Sequence, residues 1–356
     1  MKLRNSLLIA IVILCAFLFV LISIDHSENS QTTILGPKGD FSMAATGDVM
    51  FARNMPGVIS QDSSPFEGVS DVVSNVDLLL VNFENAATTT ENAVKGDFPF
   101  KCDPSYVPLL KVSNNTVAAL ANNHALDYGV DGMHDTLKYL NESGISSVGA
   151  GDNEDAAHQP VVKNINGRKI TILNYMDAND FSEYDYDTIP YANGSHFGYS
   201  AYDRADAQKQ ISENNNSDLI VAMLHYGNEY STYPNEDQIR ISHELIDDGV
   251  DVVIGSHPHV PQGVEMYNGK PIFYSLGNFI FDMSGGDMDS TYFVKIDLVN
   301  NTGECTIYPV YNSNFLPQRM DAEAGKTFIN GLTPLPSEIN VTDDGVGKLR
   351  FDLKNS

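Results

Sequence analysis

Five apolar runs in this chain each end in a residue of a type that ligates metals: Asp48, Glu84, the pair Asn123-His124, His225, and the triplet His257-Pro258-His259. In open α/β sheets ligands gather beyond the carboxyl ends of the strands. Hydrophobic segments that each deliver a carboxylate, amide or imidazole at the same end therefore describe one assembled centre. The strongest element is Gly255-Ser256-His257-Pro258-His259, which directly follows an apolar run at 250–254. Two imidazoles at i and i+2 around a proline leave a strand end in different directions, which suits two metal ions roughly 3.5–4 Å apart better than one tetrahedral ion. His225 closes a second run and Asn123-His124 a third. Neutral imidazole and amide oxygen suit Zn, Mn or Fe, and a carboxylate between two ions is a natural bridge, the place taken by Glu84. Asp48, after the run 41–46, adds a further carboxylate.

Singly, each of these residues has a blander reading. An Asp after Gly is usually a turn residue, an Asn-Asn pair a loop, and a lone His a packed or solvated side chain. The conjunction of five such ends reverses that prior. Glu229 and Tyr230, just beyond His225, either border the pocket or sit in a surface turn. His134 and His243 fall inside helical patterns and His26, His158 and His196 in polar segments, so these five read as structural or solvated.

The elements that must position these groups alternate between strand-like and helical patterns. Short apolar runs at 78–81, 117–121, 171–173, 218–224, 251–254 and 271–274 read as strands. Residues 132–141 place Met133, Leu137 and Leu140 on one helical face, and 236–248 place Ile239, Ser242, Leu245 and Ile246 on another, closing at Gly249. Alternation of this kind predicts an α/β sheet. After Ser290 the pattern turns to alternating strand-like segments, a second sheet or an antiparallel edge.

Composition bounds the partners. The 47 acidic and 21 basic side chains give a formal charge of -26, with no basic run beyond Lys2 and Arg4, so a polyphosphate backbone is repelled and nucleic acid is excluded as a partner. Residues 6–24 form an uncharged apolar stretch of 19 residues, close to the ~20 that span a bilayer. With Lys2 and Arg4 ahead of it and no small-residue cleavage site behind, it predicts an uncleaved signal anchor. The expected organisation is a cytoplasmic N-terminus at 1–5, a single transmembrane span at 6–24, a polar linker at 25–40, one extracytoplasmic domain at 41–320 and a C-terminal extension at 321–356. Cys102 and Cys305 are the thiols outside the anchor, and their separation in sequence leaves both a disulfide and two inert buried cysteines open.

The segments GDVMFARN, NFEN, NNHALDYG, GAGDN, LHYGNEY, GSHPHVPQGVE and YSLGNFIFD, in this order, resemble the signature of the CapA family of capsule or poly-γ-glutamate biosynthesis proteins over residues 43–283. That family resembles the calcineurin-like metallophosphoesterases. The resemblance implies a four-layer α/β/β/α sandwich with two divalent metal ions at the strand ends. Carried over, it gives Asp48 and His259 to the first metal, Asn123, His225 and His257 to the second, Glu84 to the bridge, and His124 the role of a non-ligand acid. In the superfamily's reaction, water activated by the ions attacks phosphorus in line while the acid protonates the leaving oxygen. Two departures matter. Met50 stands where the superfamily has a ligating histidine, and Glu84 replaces its bridging aspartate. The first site is thereby one ligand short. The resemblance further implies an anionic polymer or an envelope phosphoester as substrate, with a separate capsule-synthase ligase and export subunits as partners. Three functions follow: metal-dependent handling of the polymer, a genuine envelope phosphoesterase, or a non-catalytic polymer-binding subunit.

Overall fold

Runs that are apolar at every position form strands buried on both faces. The computed structural model describes residues 38–59, 63–178 and 191–353; the anchor expected at 6–24 and the linker up to 37 lie outside these residues. Among the described residues no helix is long and apolar enough to cross a membrane.

In chain order, β1 (Phe41–Val49), β2 (Leu78–Phe83), β3 (Thr116–Ala119) and β4 (Ser146–Val148) begin a first sheet. A second sheet follows from β5 (Val161–Ile165), β6 (Arg168–Met176), β7 (Leu219–His225), β8 (Val252–Ser256), β9 (Val264–Tyr267) and β10 (Lys270–Phe273). The chain then returns to the first sheet with β11 (Asn278–Ile280), β12 (Ser290–Val299), β13 (Thr302–Ser313), β14 (Leu316–Arg319), β15 (Asn340–Val341) and β16 (Gly347–Asp352). Strand order is β15-β16-β13-β12-β1-β2-β3-β4 in the first sheet and β9-β10-β8-β7-β6-β5 in the second. The site-bearing strands β1, β2 and β3 run parallel, as do β6, β7 and β8. Every residue of β2, β3, β7 and β8 is buried, as parallel strands covered on both faces require.

The buried side chains sort by face. Leu80 and Val117 of the first sheet share one core with Val221 and Ile254 of the second, so the sheets pack face to face. Alternate residues Leu79, Val81 and Ala118 point the other way, onto Met133 and Leu140 of helix α1 (Gly129–Glu142). On the outer face of the second sheet, Ala222 and Leu224 meet Ala207 and Ile211 of α2 (Arg204–Glu213) and Ile241, Leu245 and Ile246 of α3 (Glu236–Asp248). Each buried aliphatic side chain contributes about 1.5–3 kcal/mol through its removal from water.

Helix α3 has the bounds its pattern predicts. A capping box joins Asn235 and Gln238 at its start, and Gly249 at φ 121° ends it. Ile239, expected on the buried face, is instead 36% exposed. Gln238, Ile241, Ser242 and Leu245 form the inward stripe at three- and four-residue spacing, and Ile239 lies about 100° around the helix from Gln238. The segments after Ser290 extend the first sheet antiparallel from β1, and β16 adds itself to β13. Cys102 and Cys305 are both free and buried, the first in the α1-side core and the second between the sheets.

Two glycines let backbones approach just before site residues. A Cβ at Gly47, before Asp48, would collide with the Gly277 carbonyl oxygen. One at Gly255, two residues before His257, would collide with that of Tyr274.

Candidate metal centre

Parallel pairing aligns the polar residues at the strand ends. Asp48 in β1 stands in register with Asn82 in β2 and with Asn278 in β11, while Glu84 follows β2 directly. His225 is the last residue of β7 and pairs with Ser256, the last of β8, which places His257 and His259 immediately beyond. Asn122, Asn123 and His124 follow β3.

The structure brings the expected residues together. Ligand atoms of Asp48, Glu84 and His225 all lie within 4.8 Å of one another, and all three residues are buried. His225 Nε2 is 3.0 Å from Asn123 Oδ1 and 3.2 Å from His257 Nδ1. His259 Nδ1 lies 3.6 Å from Asp48 Oδ2 and 2.8 Å from Asn278 Oδ1. Glu84 Oε1 is 3.9 Å from His225 Nε2 and 4.0 Å from His124 Nε2. Glu229 and Tyr230 line the wall of the adjoining cleft with Arg53, Lys95, His124 and His257, around a volume of about 700 Å³. Tyr230 donates its N–H to the Pro258 carbonyl. Met50 is buried, and its sulfur accepts the Ala52 N–H at 2.8 Å, so this position faces the α1-side core.

Several members were missed by sequence reasoning. Asn82 Nδ2 donates to Asp48 Oδ1 at 2.8 Å and Glu84 Oε2 at 3.2 Å, and stands 3.3 Å from His225 Nδ1. Asn122 in turn donates to Asn82 Oδ1 and accepts from the His124 N–H. Asp127 Oδ2 lies 2.7 Å from His124 Nδ1, Phe100 stacks on the His124 ring at 3.6 Å, and Lys95 Nζ reaches His124 Nδ1 at 3.2 Å and Asp127 Oδ1 at 3.7 Å. The available signal was a polar residue inside an otherwise apolar strand, as Asn82 is in LLLVNF, since a buried polar group must find partners.

Backbone strain concentrates here. His257 (φ 102°), His259 (φ 62°) and Tyr230 (φ 62°) adopt left-handed conformations without being glycine, a feature that clusters at functional sites. Electrostatics agree. Burial pushes the Glu84 carboxyl well above its ordinary range, and the neighbouring Asp48 charge pushes it further. Burial also raises Asp48, against the opposing pull of His259. Burial holds His124, His225 and His257 well below the usual imidazole range, reinforced for His124 by Lys95 and for His257 by His225. Asp127 is pushed by burial up to about 8, with Lys95 opposing. Among the described residues, Asp48 Oδ2 and Glu84 Oε1 are buried without a hydrogen-bond partner. Buried carboxyls that the protein leaves short of donors, beside imidazoles kept neutral, make a donor set suited to a cation.

The remaining described histidines lie outside this cluster, and His26 falls outside the described residues. His134 pairs with Asp152 on the surface, His243 with Glu265, and His158 bridges the Glu154 and Ala201 carbonyls.

Comparison with known proteins agrees with the sequence resemblance. The family profile described as "Bacterial capsule synthesis protein PGA_cap" matches residues 42–283. The "PGA biosynthesis protein CapA" of Bacillus subtilis (strain 168) is 33% identical over 324 residues, covering 88% of this chain and 83% of that protein. The "Capsule biosynthesis protein CapA" of Bacillus anthracis is 30% identical over 289 residues, covering 78% and 66% respectively. Among solved structures, a hypothetical protein from Thermus thermophilus superposes with a TM-score of 0.43 at 15% identity, over 78% of this chain and 95% of that one. A 5'-nucleotidase from Candida albicans SC5314 gives 0.39 at 12%, over 72% and 47%. With two thirds of its length under one family profile and a relative a third identical along most of the chain, this protein belongs to the PGA_cap family of bacterial capsule synthesis proteins.

Proposed function

We propose that this chain is an exported, membrane-anchored protein of capsule or poly-γ-glutamate biosynthesis whose divalent metal centre acts on or handles an anionic polymer. The observation that carries this reading is the buried Asp48, Glu84 and His225 group, in which one oxygen of each carboxylate lacks a hydrogen-bond partner among the described residues. Donors bound to one cation at about 2.0–2.2 Å stand roughly 3–3.5 Å from each other. The His225–Asn123, His257–His225 and His259–Asp48 contacts, at 3.0, 3.2 and 3.6 Å, fall near that spacing. Asp48 and His259 would hold one ion, Asn123, His225 and His257 a second, with Glu84 between them. Mixed oxygen and nitrogen donors suit Mn, Zn or Fe. Two layered sheets with donors at their strand ends support a calcineurin-like metallophosphoesterase type of sandwich at 41–320, whose first sheet the C-terminal extension at 321–356 completes with β15 and β16, with 1–5 cytoplasmic, 6–24 spanning the membrane and 25–40 a linker. A separate ligase and export subunits would complete the machinery.

Bound metal would polarise a substrate oxyanion and activate water. The chain's own residues do the rest. Asp127 and the Phe100 ring fix the orientation of His124, whose Nε2 faces the Glu84 side of the cleft. His124 is thus placed to move a proton at the reacting group. This arrangement favours a second reading, an envelope phosphoesterase, over a purely scaffolding role.

Elemental analysis of the purified chain, with Asp48→Ala and His257→Ala variants, tests the centre. Two transition-metal equivalents in the parent, reduced in both variants, is the expected result. Phosphodiester turnover that vanishes in His124→Ala with metal retained would establish the phosphoesterase. Metal-independent binding of the polymer would leave a non-catalytic subunit.

A further inference from the structure

Arg53 lies in the turn after β1, at the wall of the same cleft, in a left-handed conformation at φ 54°. Its Nε donates to Asp282 Oδ2 at 3.2 Å and its Nη2 reaches Asp282 Oδ1 at 2.7 Å. The Asp282 side chain is fully buried and also accepts the Asn54 N–H at 3.0 Å, so the grip on the guanidinium is itself anchored. The guanidinium carbon stands 5.1 Å from the centroid of Phe100, the ring that stacks on His124. One edge of the fork is thus occupied, while Nη1 has no partner among the described residues. The side chain keeps 33% of its surface exposed. In a chain with 47 acids against 21 bases, this is a fixed cation at the wall of the cleft that holds the candidate metal ligands.

We propose that Arg53, positioned by Asp282, binds a substrate oxyanion at the cleft, either a polymer carboxylate or a phosphoester; this rests on reading the cleft as a polymer- or phosphoester-handling site. The physical case is preorganisation. A guanidinium is planar, always charged and forked, and one already clamped against a carboxylate and an aromatic ring loses little further freedom when an anion arrives. Charge-assisted hydrogen bonds from it are roughly twice as strong as neutral ones. The competing role is a rim ion pair that merely fixes the turn. That role predicts altered stability with unaltered ligand affinity.

The test is calorimetric titration of the purified, metal-loaded full chain with a γ-linked glutamate decamer and, separately, with inorganic phosphate. Metal content and melting temperature are measured in every variant. Arg53→Gln is expected to weaken binding of at least one probe tenfold or more at unchanged metal content, with Arg53→Lys recovering only part. Which probe is affected identifies the source of the oxyanion. Asp282→Asn is expected to give a smaller loss; should it fail to fold, the two Arg53 variants decide alone. Lys348→Gln, which removes a cation paired with Glu304 outside the cleft, should bind as the parent does. Parent-like affinity in Arg53→Gln, or loss of metal together with affinity, overturns the role of Arg53 and leaves the metal cleft standing. A metal-loaded parent that binds neither probe overturns the reading of the cleft and the inference with it.

Discussion

The two sheets bring different chemistry to one candidate centre. The first delivers Asp48, Glu84 and Asn123, all oxygen donors, from the ends of β1, β2 and β3; the second delivers His225, His257 and His259, all nitrogen donors, from the ends of β7 and β8. Neither sheet alone brings together both kinds of candidate donor. The donors meet only because the inner faces of the sheets pack together through Leu80, Val117, Val221 and Ile254. Any cation bound there therefore reports on how the two layers are seated, and the layers are in turn held by the cation.

The sharpest way to break this comparison is to remove one donor from each side. Asp48→Ala and His225→Ala should each lower metal affinity by more than the roughly 10–100-fold typical of residues that only orient ligands, as read by competition with a chelating dye. A variant from one sheet that keeps full affinity would confine the centre to the other. Next in size is Asn82→Ala. Asn82 holds both carboxylates of the first sheet through one amide, so a loss of about 10–100-fold is expected with the same readout.

The pH dependence separates the sheets further. The Asp48 and Glu84 carboxyls are raised by burial, so without metal they keep protons to higher pH than ordinary carboxyls and must release them on binding. His225 and His257 are lowered, so they are already neutral below the usual imidazole range. Metal affinity should therefore rise with pH through and beyond the ordinary carboxylate range, by up to about tenfold per unit for each proton released, and level off once both carboxyls are ionised without metal. The first sheet supplies this slope, and the second adds little. Titration in buffers of different ionisation heat counts the protons; a slope unchanged in Glu84→Gln would refute the assignment. The smallest metal effect is expected from the outer layer. Leu80→Ala, between the sheets, and Leu245→Ala, beneath α3, should each cost about 2–5 kcal/mol of stability in denaturant melts. Only the former should weaken metal binding as well.

Much of this was legible because strand ends and donors coincide. A buried parallel strand reads as an unbroken apolar run, and the residue that breaks the run falls at the end where ligands collect. That logic points to Asp48, Glu84, Asn123, His225, His257 and His259 as candidate ligands, and the structure places them side by side. It did not reach Asn82 or Asn278, amides inside β2 and β11 whose part is to hold neighbouring donors: Asn82 donates to the Asp48 and Glu84 carboxylates, and Asn278 Oδ1 lies 2.8 Å from His259 Nδ1. Nor could it reach Lys95, Asp127 and Phe100, which gather around His124 through loop folding that no periodicity encodes. The misplaced Ile239 has a local cause: an apolar residue on a helix edge satisfies the pattern one position out of phase.

The order in which the first sheet is built sets a timetable for the nascent chain. β1 is flanked by β2 on one side and β12 on the other, and Phe41 pairs with Leu298. At about 5–20 residues per second, the partner for that second edge emerges from the ribosome roughly 13–50 s after β1 itself. Until then β1 offers an open row of N–H and C=O groups along a buried-type strand, the kind of edge that captures other chains. Asp48, whose N–H donates to the Gly277 carbonyl, waits nearly as long for that partner. A chain truncated before β12 should therefore aggregate during synthesis, because β1 keeps that open edge for want of Ser290–Val299.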